Sequence, residues 1–250
     1  MHDLRRLLSA EWSKMWTGRA WWSMALIGVL MGALAGSGYV TEADKDIAKG
    51  ATTIEGVTDQ VVRSWFMMLL FSALLGAIFV SREYQSGAIG RSVLLSGGRG
   101  RLLTAKLLVG LAMGVVFGAL TVALAAASPS VFLPQAQLEP AWTHETTLTL
   151  IGVFVVTTLG APWGVLLGWI IRNQAATVAT LLGLTLFVDE ALLRLAPAVG
   201  KFTLTIAMSS VYRDGKPELL SVPAASLTIA AWLVAAGIAA RALFHKRDVL

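Results

Sequence analysis

The chain has 250 residues, of which 56% are hydrophobic and only 14% charged, with a net charge of +5 and no cysteine. Ordinary soluble domains carry roughly 25% charged residues, so a water-soluble fold is excluded, and so are disulfides, thiolate catalysis and Cys-based metal sites. Its basic residues gather at the ends of apolar runs and do not interleave with aromatics, which assigns the charge to membrane orientation and gives no nucleic-acid surface.

Residues 1–20 predict an N-terminal amphipathic interface helix. Leu4, Leu8, Trp12 and Trp16 recur every four residues and are joined by Leu7 and Met15, while Arg5, Arg6, Glu11 and Lys14 lie elsewhere around the helix. Tryptophans in that pattern suit the headgroup layer. Residues 21–40 carry no charge and form a first span, long enough for a hydrocarbon core of roughly 30 Å. Ala33-Leu34-Ala35 before Gly36 imitates a signal-peptide cleavage site, but the leader is long, amphipathic and Trp-rich where a signal peptide has a short basic one. Residues 41–60 are polar with a net charge of −3 and read as an external loop. A second span follows at 61–80, with Arg63 snorkelling at its outer end.

Residues 81–106 are the most informative stretch. Arg82, Arg91, Arg99, Arg101 and Lys106 stand against one acid, Glu83, and such a short basic loop stays on the cytoplasmic side. Val93-Leu94-Leu95 makes an apolar patch before the glycine-rich turn Ser96-Gly97-Gly98-Arg99-Gly100, where positive φ is easily reached. The residues alone allow an ordinary positive-inside loop of an unrelated membrane protein. The run Arg82-Glu83-Tyr84-Gln85-Ser86-Gly87, followed by Arg91, Leu94-Leu95, Arg99, Arg101 and Ala105-Lys106, resembles a conserved-type loop of type-2 ATP-binding-cassette (ABC) exporter permeases. It departs from that pattern at Ala88, where the family has Thr, and at Gly97 or Gly98, where it often has Pro. The resemblance implies a coupling helix here that touches a separate ATPase through Arg82, Glu83, Tyr84, Gly87, Arg91, Leu94, Leu95, Arg99 and Arg101. Glu11-Trp12-x-Lys14 resembles the interface helix of the same family, against the alternative of a simple amphipathic anchor.

A third span at 107–127 leads to residues 128–147, a loop with Pro129, Pro134 and Pro140 and no Lys or Arg, read as external. The fourth span, 148–171, contains Pro162, tolerated if neighbouring helices satisfy the freed carbonyl. Arg172-Asn173-Gln174 is a tight cytoplasmic turn. The fifth span, 175–195, meets Asp189-Glu190 and Arg194 before it is long enough to cross, so the helix continues through the carboxylates or turns back. Such carboxylates face protein or water, and Glu190 and Arg194 at i, i+4 can neutralise each other. The sixth span, 222–240, precedes a basic tail with Arg241, His245, Lys246 and Arg247. Thirteen of the 20 Lys and Arg fall on the proposed inside and seven outside, giving an all-α integral membrane protein with six spans, one transmembrane domain over 1–250 and both termini cytoplasmic.

Rows Gly28/Gly32/Gly36, Gly110/Gly114/Gly118 and Gly160/Gly164/Gly168 predict close helix packing. His2, His144 and His245 are too dispersed for a metal motif, and no GxxxxGK[ST] loop occurs, so no metal or cofactor is expected in this chain. The resemblance implies the membrane subunit of an ATP-driven exporter of a peptide, antibiotic or lipid-like substrate, with ATP and Mg held by cytoplasmic ABC ATPase subunits. Its other partners would be the lipid bilayer and a second permease copy or sister permease, in the plasma membrane of a bacterium. It further implies that Asp189, Glu190 and Arg194 border an external gate, with 196–221 external or re-entrant. An ion pair capping a helix end is the plainer reading. Asp189-Glu190-x-x-x-Arg194 also imitates an intramembrane protease motif, whose partner histidines the spans lack. A non-transporting immunity or scaffold protein, and an ion-coupled carrier using Asp189 or Glu190, are the alternatives of other classes.

Overall fold

The computed structural model describes residues 2–246; Arg247 of the basic tail lies outside the described residues. Among them there is no strand, and six helices are long and apolar enough to cross a membrane. A first helix, α1 (His2–Trp16), turns through Gly18 into α2 (Ala20–Ala48). Then α3 (Ile54–Arg63), one 3-10 turn (Ser64–Met67) and α4 (Met68–Gln85) form a near-continuous rod. After α5 (Ile89–Ser96) come α6 (Arg99–Phe132), a further 3-10 turn (Leu133–Ala136) and α7 (His144–Ile171). The fifth crossing is α8 (Gln174–Gly183), a π-helical turn (Leu184–Val188) and α9 (Asp189–Leu195), and the chain ends with α10 (Pro197–Gly200), α11 (Leu204–Val211) and α12 (Val222–Lys246).

The helices overrun the apolar stretches that announce them. The polar segment 41–60 is helical to Ala48, because Val40 and Ala43 stay in register to pack on Val57, Val61 and Leu133. The segment 128–147 likewise begins as helix. Pro129 cannot donate to Ala125 O, and the Ser128 hydroxyl donates to that carbonyl instead at 2.8 Å, so α6 runs on to Phe132. Residues 81–106 are helical except around Gly87 and at Gly97–Gly98.

At the centre of the bundle stands α7, between α4 and α6. Backbone meets backbone here. A Cβ at Gly164 would lie 1.8 Å from Ala73 O, and one at Gly76 of α4 would lie 2.1 Å from Ala161 O. On the other side a Cβ at Gly114 of α6 would come within 2.2 Å of Thr158 O, the carbonyl that Pro162 leaves without its helical donor. Contacts this close replace the hydrophobic drive that lipid cannot supply between spans. The first glycine row is different: Gly28 and Gly32 make room for the side chains of Met68 and Trp65.

Candidate functional site

The basic end of the bundle is built from α1, the end of α4, α5, the start of α6 and the end of α12. Helix α5 is closed by Gly97 at φ 74°, with Gly98 N donating to Val93 O and Gly97 N to Leu94 O, a Schellman-type stop. Its inner side, Ile89, Ser92 and Ser96, is buried. Its outer side holds Leu94 and Leu95 in the open, 82% and 81% exposed, with Arg91 and Arg101 exposed around them.

Behind this tip lies a network of buried charges. Lys106 is fully buried and its Nζ donates to Glu11 Oε2 at 2.7 Å and Glu83 Oε1 at 2.9 Å, while standing 4.0 Å from the centre of the Phe79 ring. Lys14 donates to Glu11 Oε1 at 2.6 Å, to Glu83 Oε1 at 3.2 Å and to Ser92 Oγ at 3.2 Å. Arg82 donates to Lys14 O at 2.5 Å, satisfying a carbonyl at the end of α1. Burial works to lower the pKa of Lys14, but Glu11 and Glu83 outweigh it and hold it above the usual lysine value. Its contribution is therefore complete at neutral pH and is lost only as pH rises past the lysine range. Two acids and two lysines from three helices thus tie α1, α4 and α6 to the back of α5. Between α1 and α5 a groove of about 370 Å³ remains, bordered by Arg6, Leu7, Lys14, Leu95 and Arg101.

A second clasp holds the end of α12. Arg99 donates to Phe244 O at 2.8 Å and His245 O at 3.0 Å, and Arg172 donates to Leu243 O at 2.8 Å. These are carbonyls left over at a helix C-terminus, where cations are also favoured by the dipole. Both guanidiniums lie over the Phe244 ring, which packs on Trp169, and Tyr84 meets Trp169 edge-on.

The nine loop residues singled out from sequence therefore divide. Arg91, Leu94, Leu95 and Arg101 are open to a partner, and Gly87 sits at φ 69° in an exposed turn. Glu83, Tyr84, Arg82 and Arg99 point into the molecule and hold it together. Glu11 and Lys14 join Glu83, whereas Trp12 stacks edge-on against Trp16. Sequence reasoning missed Lys106, Arg172 and Phe244 as members of these clusters. Lys106 carried a signal: it follows Leu102, Leu103 and Ala105 and precedes a long apolar run, a place where a cation needs a carboxylate.

At the opposite end, Asp189 is buried near Thr203 and Thr205 at the start of α11. Thr203 is the N-cap residue of α11, and its hydroxyl makes no cap bond but donates to Gly200 O at 3.0 Å. Glu190 pairs with Arg194 at 3.1 Å and with Lys216 at 2.9 Å. Burial lowers the pKa of Lys216, and Glu190 and Asp214 more than restore it. These groups border a cavity of about 240 Å³ whose other walls include Phe66, Leu69, Leu186, Ile206 and Tyr212. Among the described residues no group of His, Asp and Glu could hold a metal ion.

A family model described as ABC-2 family transporter protein matches residues 7–188, well over half of the chain. No curated protein matches the sequence.

Proposed function

The chain belongs to the ABC-2 family of transporter proteins, and on that premise we propose that it is the permease subunit of an ATP-driven exporter, with nucleotide hydrolysed by separate cytoplasmic ABC ATPase subunits that hold ATP and Mg. In this reading the basic end faces the cytoplasm, α1 lies along the inner membrane surface, and a second permease, identical or sister, completes the pathway in a bacterial plasma membrane. The cargo is a peptide, an antibiotic or a lipid-like molecule.

The observation that carries the proposal is the solvent-exposed Leu94-Leu95 pair ringed by Arg91 and Arg101 on a short helix whose other side is buried and tied through Ser92 to Lys14 of the charge network. Two leucines this open are unfavourable in water and suit an apolar pocket on a soluble partner. A push on α5 would pass through the Lys106–Glu83–Glu11 network into α4, α6 and α1 together, and α7, locked backbone-to-backbone between α4 and α6, would follow. Such rigid-body displacement of packed helices is a known route to two-state opening.

The tip makes a direct test. Leu94→Asp combined with Leu95→Asp is expected to weaken ATPase binding by tenfold or more, the scale of losing about 2 kcal/mol of interface hot spots, and to abolish stimulation of ATP hydrolysis in reconstituted vesicles. Membrane insertion and melting temperature should stay as in the parent, since neither side chain is packed. Parental ATPase stimulation in the double variant would defeat the coupling role. Protection or sequestration that persists with a hydrolysis-dead ATPase would select the scaffold reading instead. An ion-coupled carrier through Glu190 is disfavoured, because that carboxylate is held by two cations, Arg194 and Lys216.

A further inference from the structure

A groove of about 360 Å³ runs between the first turns of α6 and the last turns of α12. Leu103 and Leu107 wall it on one side, and Gly237 opens it on the other, where a Cβ would meet no atom within 4 Å. One turn beyond Gly237 stands Arg241, the first charge after the apolar run of α12, exposed and without an ion pair or hydrogen bond among the described residues. His245 and Thr104 border the same mouth. Neither α6 nor α12 contains an Asp or Glu, so these two helices offer Arg241 no carboxylate. The groove is thus apolar toward the middle of the bundle and cationic at its rim.

We propose that this groove binds one anionic phospholipid of the leaflet at the basic end, its phosphate against Arg241 and an acyl chain along Gly237, Leu103 and Leu107. Charge complementarity selects the headgroup: basic pockets between spans bind anionic lipid heads, and each Arg or Lys near the surface contributes about 1 kcal/mol. Apolar contact holds the chain without selecting among lipids, since free bilayer is equally apolar. The inference does not depend on the transport reading.

Native mass spectrometry of the purified full chain, exchanged into micelles holding equal phosphatidylglycerol and phosphatidylcholine of matched chains, tests it. The parent should retain phosphatidylglycerol preferentially, and Arg241→Gln should reduce that preference about fivefold, with Arg241→Lys restoring most of it. Gly237→Leu should fill the groove and release both lipids, and it faces open space, so the fold is expected to hold. Should Gly237→Leu fail to fold, the exposed Arg241 variants decide alone. Equal retention of both lipids by the parent, or undiminished preference in Arg241→Gln, would overturn the proposal. So would a photoreactive residue at position 104 that cross-links another protein chain and no lipid.

Discussion

Lys106→Met is expected to destabilise the protein by about 3–5 kcal/mol, the range for removing one partner of a buried ion pair. The lysine is fully buried and, among the described residues, is the only cation that reaches both carboxylates from inside, whereas Lys14 approaches from the surface with 39% of its side chain exposed. Without Lys106, two acids and one half-solvated lysine remain, and the local charge changes from balanced to −1. The melting temperature of detergent-solubilised protein, followed by fluorescence-detected size exclusion, reads the effect. Glu11→Gln added to Lys106→Met should recover a large part of the loss, because it removes the carboxylate left without its partner. Breaking a buried pair is costly, while replacing it outright is often close to neutral. A Lys106→Met protein that melts with the parent would show that the network contributes little to cohesion.

Gly164→Val is expected to exceed 4 kcal/mol, beyond what most single substitutions cost. The new Cβ would sit 1.8 Å from Ala73 O, and neither partner is a side chain that could swing aside. Helices α4 and α7 would have to separate along the seam that fills the centre of the bundle. Gly38 supplies the contrast, since a Cβ there meets nothing within 4 Å. Gly38→Ala should be neutral or stabilising by roughly 0.5–1 kcal/mol from helix propensity. Comparable melts for the two variants would mean that the α4–α7 seam is looser than its geometry requires.

Six crossings were legible because a stretch such as 21–40 is long, apolar and uncharged, a signal that survives without knowledge of tertiary contacts. Helix ends were not. Val40 and Ala43 continue α2 for the sake of Val57 and Leu133, and Ser128 rescues the carbonyl that Pro129 abandons, both of which depend on neighbours in space or on a hydroxyl doing an amide's work. The same gap separates the charged residues of the site into those read and those unread. Arg91 and Leu94 are what their local pattern suggests, a charge and an apolar group on the solvated side of a short helix. Glu11 and Lys106 are 95 positions apart, and nothing local tells a positive-inside lysine from one that neutralises two buried acids. Asp189 is a similar case: its place at the end of the fifth apolar run, with Glu190 and Arg194 at i, i+4, offered a gate or an ion pair as readings, whereas the start of α11 that it lies near belongs to a helix that hydropathy alone did not delimit.

Helix α6 has 34 residues, a rod of about 51 Å at 1.5 Å per residue, considerably longer than the roughly 30 Å of hydrocarbon it crosses. Gly114 falls almost at its midpoint, pressed against the Thr158 O backbone carbonyl. Were that contact a fulcrum, the rod would work on it like an oar in a rowlock. A rocking of about 10° would carry each tip of so long a helix about 4 Å, in opposite directions at the Arg99 end and where Leu133 is seated among Val40, Ala43, Val57 and Val61.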